Sequence, residues 1–180
     1  RQYGHTATLL PNGRVLITGG INVDYHTTNK AELYDPTTGT FSVTGNMHYA
    51  RVGHTVTLLS NGKVLIAGGS QDGFGGVQTS EIYDPATGVF SLTGQMHSAR
   101  VYHQAILLSN NNVLLLGGDK TSANDSDPGT TVELYEPSSG SFSLVGNLNE
   151  KMVYHTATLL ANGKVLIAGG YNDNGLVSQT

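Results

Sequence analysis

Four histidines recur through the chain at nearly one spacing: His5, His54, His103 and His155 follow each other at 49, 49 and 52 residues. Four imidazoles in equivalent places could ring a metal ion. Each nitrogen would then have to come within about 2.1 Å of one ion, and residues a whole repeat apart sit too far apart for that. Repetition favours the other reading, in which each ring bonds neighbouring backbone and fills an interface between repeats. Arg51 and Arg100 stand three residues before two of these histidines. A planar guanidinium there could hold a carboxylate or sulfate, pair with the acid of a recurrent Tyr-acid-Pro triplet, or cap backbone carbonyls. Asp119, Asp125 and Asp127 gather the hard oxygens calcium prefers, without the spacing of an EF-hand loop. Tyr25, with His26 beside it, Phe74 and Tyr171 set aromatic faces among Asn and Asp. That pattern suits stacking on a sugar, or pinning of each aromatic's own loop. His48 and His97 read as exposed loop histidines. No Ser-His-Asp set or phosphate loop is present, and the absence of Cys excludes thiol catalysis, thiolate zinc sites and disulfides. No catalytic residue and no cofactor is expected.

The segments that carry these residues repeat. A Gly pair recurs at Gly19–Gly20, Gly68–Gly69, Gly117–Gly118 and Gly169–Gly170. The triplet recurs around Tyr34, Tyr83 and Tyr135, followed by Phe41, Phe90 and Phe142. A period near fifty residues marks a repeat architecture. Each unit reads as four short strands. Strand A ("HTATLL") and strand B ("KVLIAGG") flank an Asn-Gly turn, expected as a two-residue hairpin with both residues at positive φ. Strand C ("EIYDP") ends at Pro, which cannot donate to a ladder, and strand D ("FSLTG") follows a Gly turn. No helical period persists. Strands A and B are almost continuously apolar, which implies burial on both faces. Sheets stacked face to face in a ring, a β-propeller, provide that burial.

The period, the strand ending in Gly-Gly, the Tyr and the aromatic of strand D resemble the kelch repeat across essentially the whole chain. The chain has no Trp, where animal kelch units often carry one, and "FSxTGxMxxAR" is similar to the bacterial, galactose-oxidase-like branch. The resemblance implies an all-β propeller of four-stranded antiparallel blades, with units at 1–49, 50–98, 99–150 and an incomplete 151–180, about three and a half blades. Kelch wheels have six or seven. The sequence is therefore expected to be an excerpt, to assemble with other copies, or to close alone as a tight ring. Within the final unit, residues 171–180 are expected as loop.

Strands that alternate in direction place the A–B and C–D turns on one face and the B–C loops and D–A segments on the other. The A–B and C–D turns are near copies, whereas the B–C loops differ in length and chemistry. Function on a repeat scaffold is expected where the repeats disagree. The chain's 180 residues carry a net charge of −4, and its nine Lys and Arg are scattered, which argues against nucleic acid. No apolar run is long enough to insert in a membrane. The expected function is a non-catalytic binding module for a protein or glycan, in a secreted or surface protein of a bacterium, with further blades as partners. Two alternatives stand beside it. One is a structural repeat that builds a ring or filament. The other is a fragment of a galactose-oxidase-like copper oxidase with its catalytic residues elsewhere.

Overall fold

The computed structural model describes residues 3–71, 76–119, 129–172 and 175–176. Every regular element among them is a β-strand, so no helix there is long and apolar enough to cross a membrane. The first sheet holds β1 (Thr6–Leu9), β2 (Val15–Thr18), β3 (Ala31–Asp35) and β4 (Thr40–Val43), antiparallel and in chain order. The second repeats it with β5 (Thr55–Leu58), β6 (Val64–Ala67), β7 (Ser80–Asp84) and β8 (Val89–Leu92). The third has β9 (Gln104–Leu107), β10 (Val113–Leu116), β11 (Thr131–Glu136) and β12 (Ser141–Asn147). β13 (Thr156–Leu159) and β14 (Val165–Ala168) form a two-stranded sheet. The segment after β14, expected as loop, begins with a short hairpin of β15 (Tyr171–Asn172) and β16 (Gly175–Leu176).

Register is kept from sheet to sheet. Val15 faces Tyr34, which faces Phe41; Val64–Tyr83–Phe90 and Val113–Tyr135–Phe142 repeat the row. The rings of each Tyr–Phe pair lie 4.6–4.9 Å apart. The first strands of the sheets pack side by side in the order β1, β5, β9, β13, so strand A is innermost and the sheets fan outward as blades. All four residues of β6 are buried, because its sheet is covered on both sides. Leu10, Leu16, Ala31 and Met47 of the first unit pack with Val64, Ile66, Tyr83 and Phe90 of the second. Leu59, Leu65, Ala67 and Met96 meet Val113, Leu115, Tyr135 and Phe142 in the same way.

The A–B turn differs from expectation. Gly13 N–H donates to Leu10 O at 3.0 Å and Leu10 N–H to Arg14 O at 2.8 Å, which makes a three-residue loop. Only Gly13 takes a left-handed φ, of 81°. Asn12 instead uses Oδ1 to accept from Arg14 N–H at 3.1 Å. A three-residue hairpin loop needs one left-handed residue, at its third place. In the third unit Asn111 fills that place, at φ 70°.

Candidate functional site

Each blade interface is an interlock between a Gly pair and two histidines. A Cβ on Gly68 would sit 2.6 Å from Arg100 O and 2.8 Å from His103 Cε1, both contributed by the following unit. A Cβ on Gly69 would sit 2.9 Å from His54 Cβ in its own blade. The pair thus lies between its own histidine and the next one, and Gly69 N–H donates to Arg100 O at 2.7 Å. His54 Nε2 lies 3.0 Å from Thr18 Oγ1 and 3.2 Å from Thr6 Oγ1 of the preceding blade. His103 Nε2 lies 2.9 Å from Thr55 Oγ1. The ring partners are therefore threonine side chains of the neighbouring sheet, where backbone had been expected. Burial drives the His54 pKa down to about 3 and lowers that of His103 well below the usual value; the nearby guanidinium adds to both shifts. His5, in the first unit, is exposed.

Arg51 and Arg100 stitch each blade internally. Arg51 Nη1 donates to Gly68 O at 2.7 Å and Thr79 O at 2.8 Å, and Nη2 lies 3.0 Å from Glu81 Oε1. Glu81 also accepts the N–H of His48 and takes its Nδ1, both at 2.8 Å. Arg100, Glu133 and His97 repeat the set. The acid is the residue two before the Tyr of the triplet. The triplet's own acids do other work: Asp35 accepts from Thr37 N–H and pairs with Arg14, and Asp84 pairs with Lys63.

The face of the B–C loops and D–A segments is aromatic. Of the nine tyrosines, Tyr34, Tyr83 and Tyr135 belong to strand C, and the other six all lie on this face. Tyr3, Tyr25, Tyr154 and Tyr171 are 55%, 74%, 60% and 49% exposed. Asn22 shapes the first B–C loop: its Oδ1 accepts from Asp24 N–H at 3.0 Å and His26 N–H at 2.9 Å. That loop holds Tyr25 at φ 62°. Tyr102 and Tyr154, directly before His103 and His155, take φ 57° and 56°, where Gly4 and Gly53 take 69° and 66°. A left-handed backbone costs a residue with a side chain about 1–2 kcal/mol. The Tyr102 and Tyr154 rings stack with centroids 4.6 Å apart, and Tyr102 leans over Gly53, to whose carbonyl it donates its N–H at 2.9 Å. A cleft of about 310 Å³ opens between them and the inner strands, lined by Gly53, Tyr102, Gln104 and Tyr154 with three of the histidines behind. The Tyr154 hydroxyl pKa is raised by partial burial, by Tyr102 and by Asp119.

Residues 4–48 match the Kelch motif. That stretch is the first sheet with the segment leading out of it, and the second and third sheets repeat its histidine, Gly pair, Tyr and Phe. The first unit is a kelch motif, and the later units repeat its pattern. No curated protein matches it.

Within the kelch blades, the residues singled out by their chemistry separate. Arg51 and Arg100, read as ligand holders, partners of the triplet acid or caps on backbone carbonyls, are 0% and 2% exposed, with their terminal nitrogens turned to buried carbonyls and to a carboxylate that is not the triplet's. They hold the blade rather than a ligand. Tyr25 and His26 stand together at an exposed loop tip, and Tyr171 lies in β15, bridged to Val153. Asp119 is bridged to Val101, and its carboxylate meets Lys151 Nζ at 2.8 Å. Phe74, Asp125 and Asp127 lie outside the described residues, so Asp119 is the one member of the calcium set that is placed. No group of His, Asp or Glu among the described residues is arranged to hold a metal ion. His48 and His97 are half-exposed and bound to buried glutamates. Sequence reasoning passed over Tyr102 and Tyr154. The exchange of Gly for Tyr immediately before the recurrent histidine was the available signal.

Proposed function

We propose that this kelch chain is a non-catalytic interaction module that binds a protein partner through the face of its B–C loops and D–A segments. One observation carries the reading: the six tyrosines not used in the blade cores all lie on this face, and most are substantially exposed. Tyrosine offers large contact area, a polar tip and little rotamer entropy to lose, which is why it is enriched at interfaces. The opposite face offers near-identical turns, where Arg14 is paired with Asp35 and Lys63 with Asp84. The test is a random peptide library displayed on phage and selected on the immobilised chain. Binders should weaken on Tyr25→Ala or Tyr154→Ala and keep their affinity on Asn61→Ala or Lys63→Ala. Binders that respond only to Asn61 and Lys63 would move the site to the other face.

A second reading, assembly with further blades, has its own support. Thr156, Ala168 and Gly169 repeat the Thr55, Ala67 and Gly68 surface that receives His103, and a Cβ on Gly169 would meet nothing within 4 Å. The solution mass of the chain tests it. A defined oligomer lost on His5→Ala would support docking of one copy's first blade on another's last, and a monomer would argue against it.

A further inference from the structure

We infer that the cleft framed by Tyr102 and Tyr154 is the anchor of this face and that it takes a Lys or Arg side chain from a basic segment of the partner. The inference rests on the reading of the face as a protein-binding surface.

Units one and two show what folding requires at this position. Gly4 and Gly53 meet the left-handed backbone without strain, so tyrosine in units three and four serves something other than the turn. The two rings stack on each other, and the Tyr154 ring stays largely open to solvent above a cleft rather than filling a core. A stacked pair with one open face attracts a cation through the ring quadrupole.

Charge points the same way. On the opposite face Asp35 is matched by Arg14 and Asp84 by Lys63. Among the described residues of the B–C loops and D–A segments, Asp24, Asp119 and Glu150 stand against Lys30 and Lys151, and Arg51 and Arg100 are consumed by buried glutamates. The histidines behind the cleft are neutral near pH 7, His54 and His103 because burial keeps them so, and they do not offset the acids. A neutral glycan would use the rings but gain nothing from this charge, whereas a basic segment uses both.

The same peptide selection tests the inference by composition. Binders should be enriched in Lys and Arg over the starting library, and their affinity should fall as salt rises. Tyr102→Gly and Tyr154→Gly, which copy units two and one, should each weaken binding by about tenfold while the melting temperature holds or rises. Binders lost on Tyr102→Gly but without Lys or Arg would overturn the basic partner and leave the face standing. So would capture of uncharged glycans on an array that disappears in Tyr102→Gly. Basic binders indifferent to both substitutions would overturn the anchor. No enrichment above an unrelated protein, or binders that map to Lys63, would overturn both the inference and the reading beneath it.

Discussion

Arg51 and Glu81 lie 3.0 Å apart with neither side chain exposed, and together they tie two strands of one blade to the segment that enters it from the blade before. The guanidinium bonds the carbonyl of Gly68 at the end of β6 and that of Thr79 just before β7. The carboxylate accepts from the D–A segment at His48 and Tyr49. Arg100 and Glu133 do the same one unit later, so the pair belongs to the repeat and not to a ligand site.

Removing one partner should therefore cost far more than removing both. Glu81→Ala leaves a buried guanidinium uncompensated and should destabilise by about 3–5 kcal/mol. Arg51→Met with Glu81→Leu should recover much of that loss. Urea denaturation of the three proteins measures it, and a loss under about 1 kcal/mol for Glu81→Ala would contradict a coupled buried pair.

Gly68 and Gly169 hold equivalent places with nearly the same φ, 64° and 69°, but only Gly68 is covered by a following blade. Gly169→Ala should cost about 1–2 kcal/mol for the backbone alone. Gly68→Ala must also displace Arg100 O and the His103 ring, and should cost about 2–5 kcal/mol. Equal losses in thermal denaturation would mean that something covers Gly169 in solution.

The interlocking histidines make stability depend on pH in a defined window. In the unfolded chain a histidine titrates near 6.5, while folded His54 titrates at about 3. Between these values the unfolded state binds a proton that the folded state refuses, so stability falls as pH falls and is complete above about 6.5. The slope approaches about 1.4 kcal/mol per pH unit for each such group. Melting temperatures from pH 7.5 to 4 should fall steeply, and less steeply in His54→Asn. A flat profile over that range would contradict the buried neutral rings.

The Thr93 hydroxyl lies 2.9 Å from that of Tyr135 across the interface between units two and three, as Thr44 does from Tyr83. Thr93→Val strands the phenol and should cost about 1–3 kcal/mol. The double change with Tyr135→Phe should cost less than Thr93→Val alone. A double-mutant cycle in urea reads the coupling, and additive losses would show that the contact contributes nothing.

The scaffold was legible because it repeats. The period, four strands per unit, the Gly pair and the aromatic row all rest on local patterns that recur in near-identical words. What stayed illegible depends on contacts between residues far apart in the sequence. His54 finds Thr18 on the preceding sheet, and Arg51 finds Glu81 thirty residues on, because pleat and register bring them together; sequence spacing carries no such information. The turn at Asn12–Gly13 was misread because Asn-Gly also fits a three-residue loop in which Asn bonds ahead with its side chain. Tyr102 and Tyr154 were hidden by the repeat itself, since attention to what recurs passes over the one position where Gly becomes Tyr. The rings with the clearest geometry stand at the inner rim of the variable loops.

Hydrogen exchange by mass spectrometry on the chain with and without a selected peptide tests the binding face most directly. A partner seated on the tyrosine-bearing face should protect the amides of residues 20–28, 100–103 and 152–155 and leave the A–B turns at 10–14, 59–63 and 160–164 unchanged. Protection confined to those turns would contradict it.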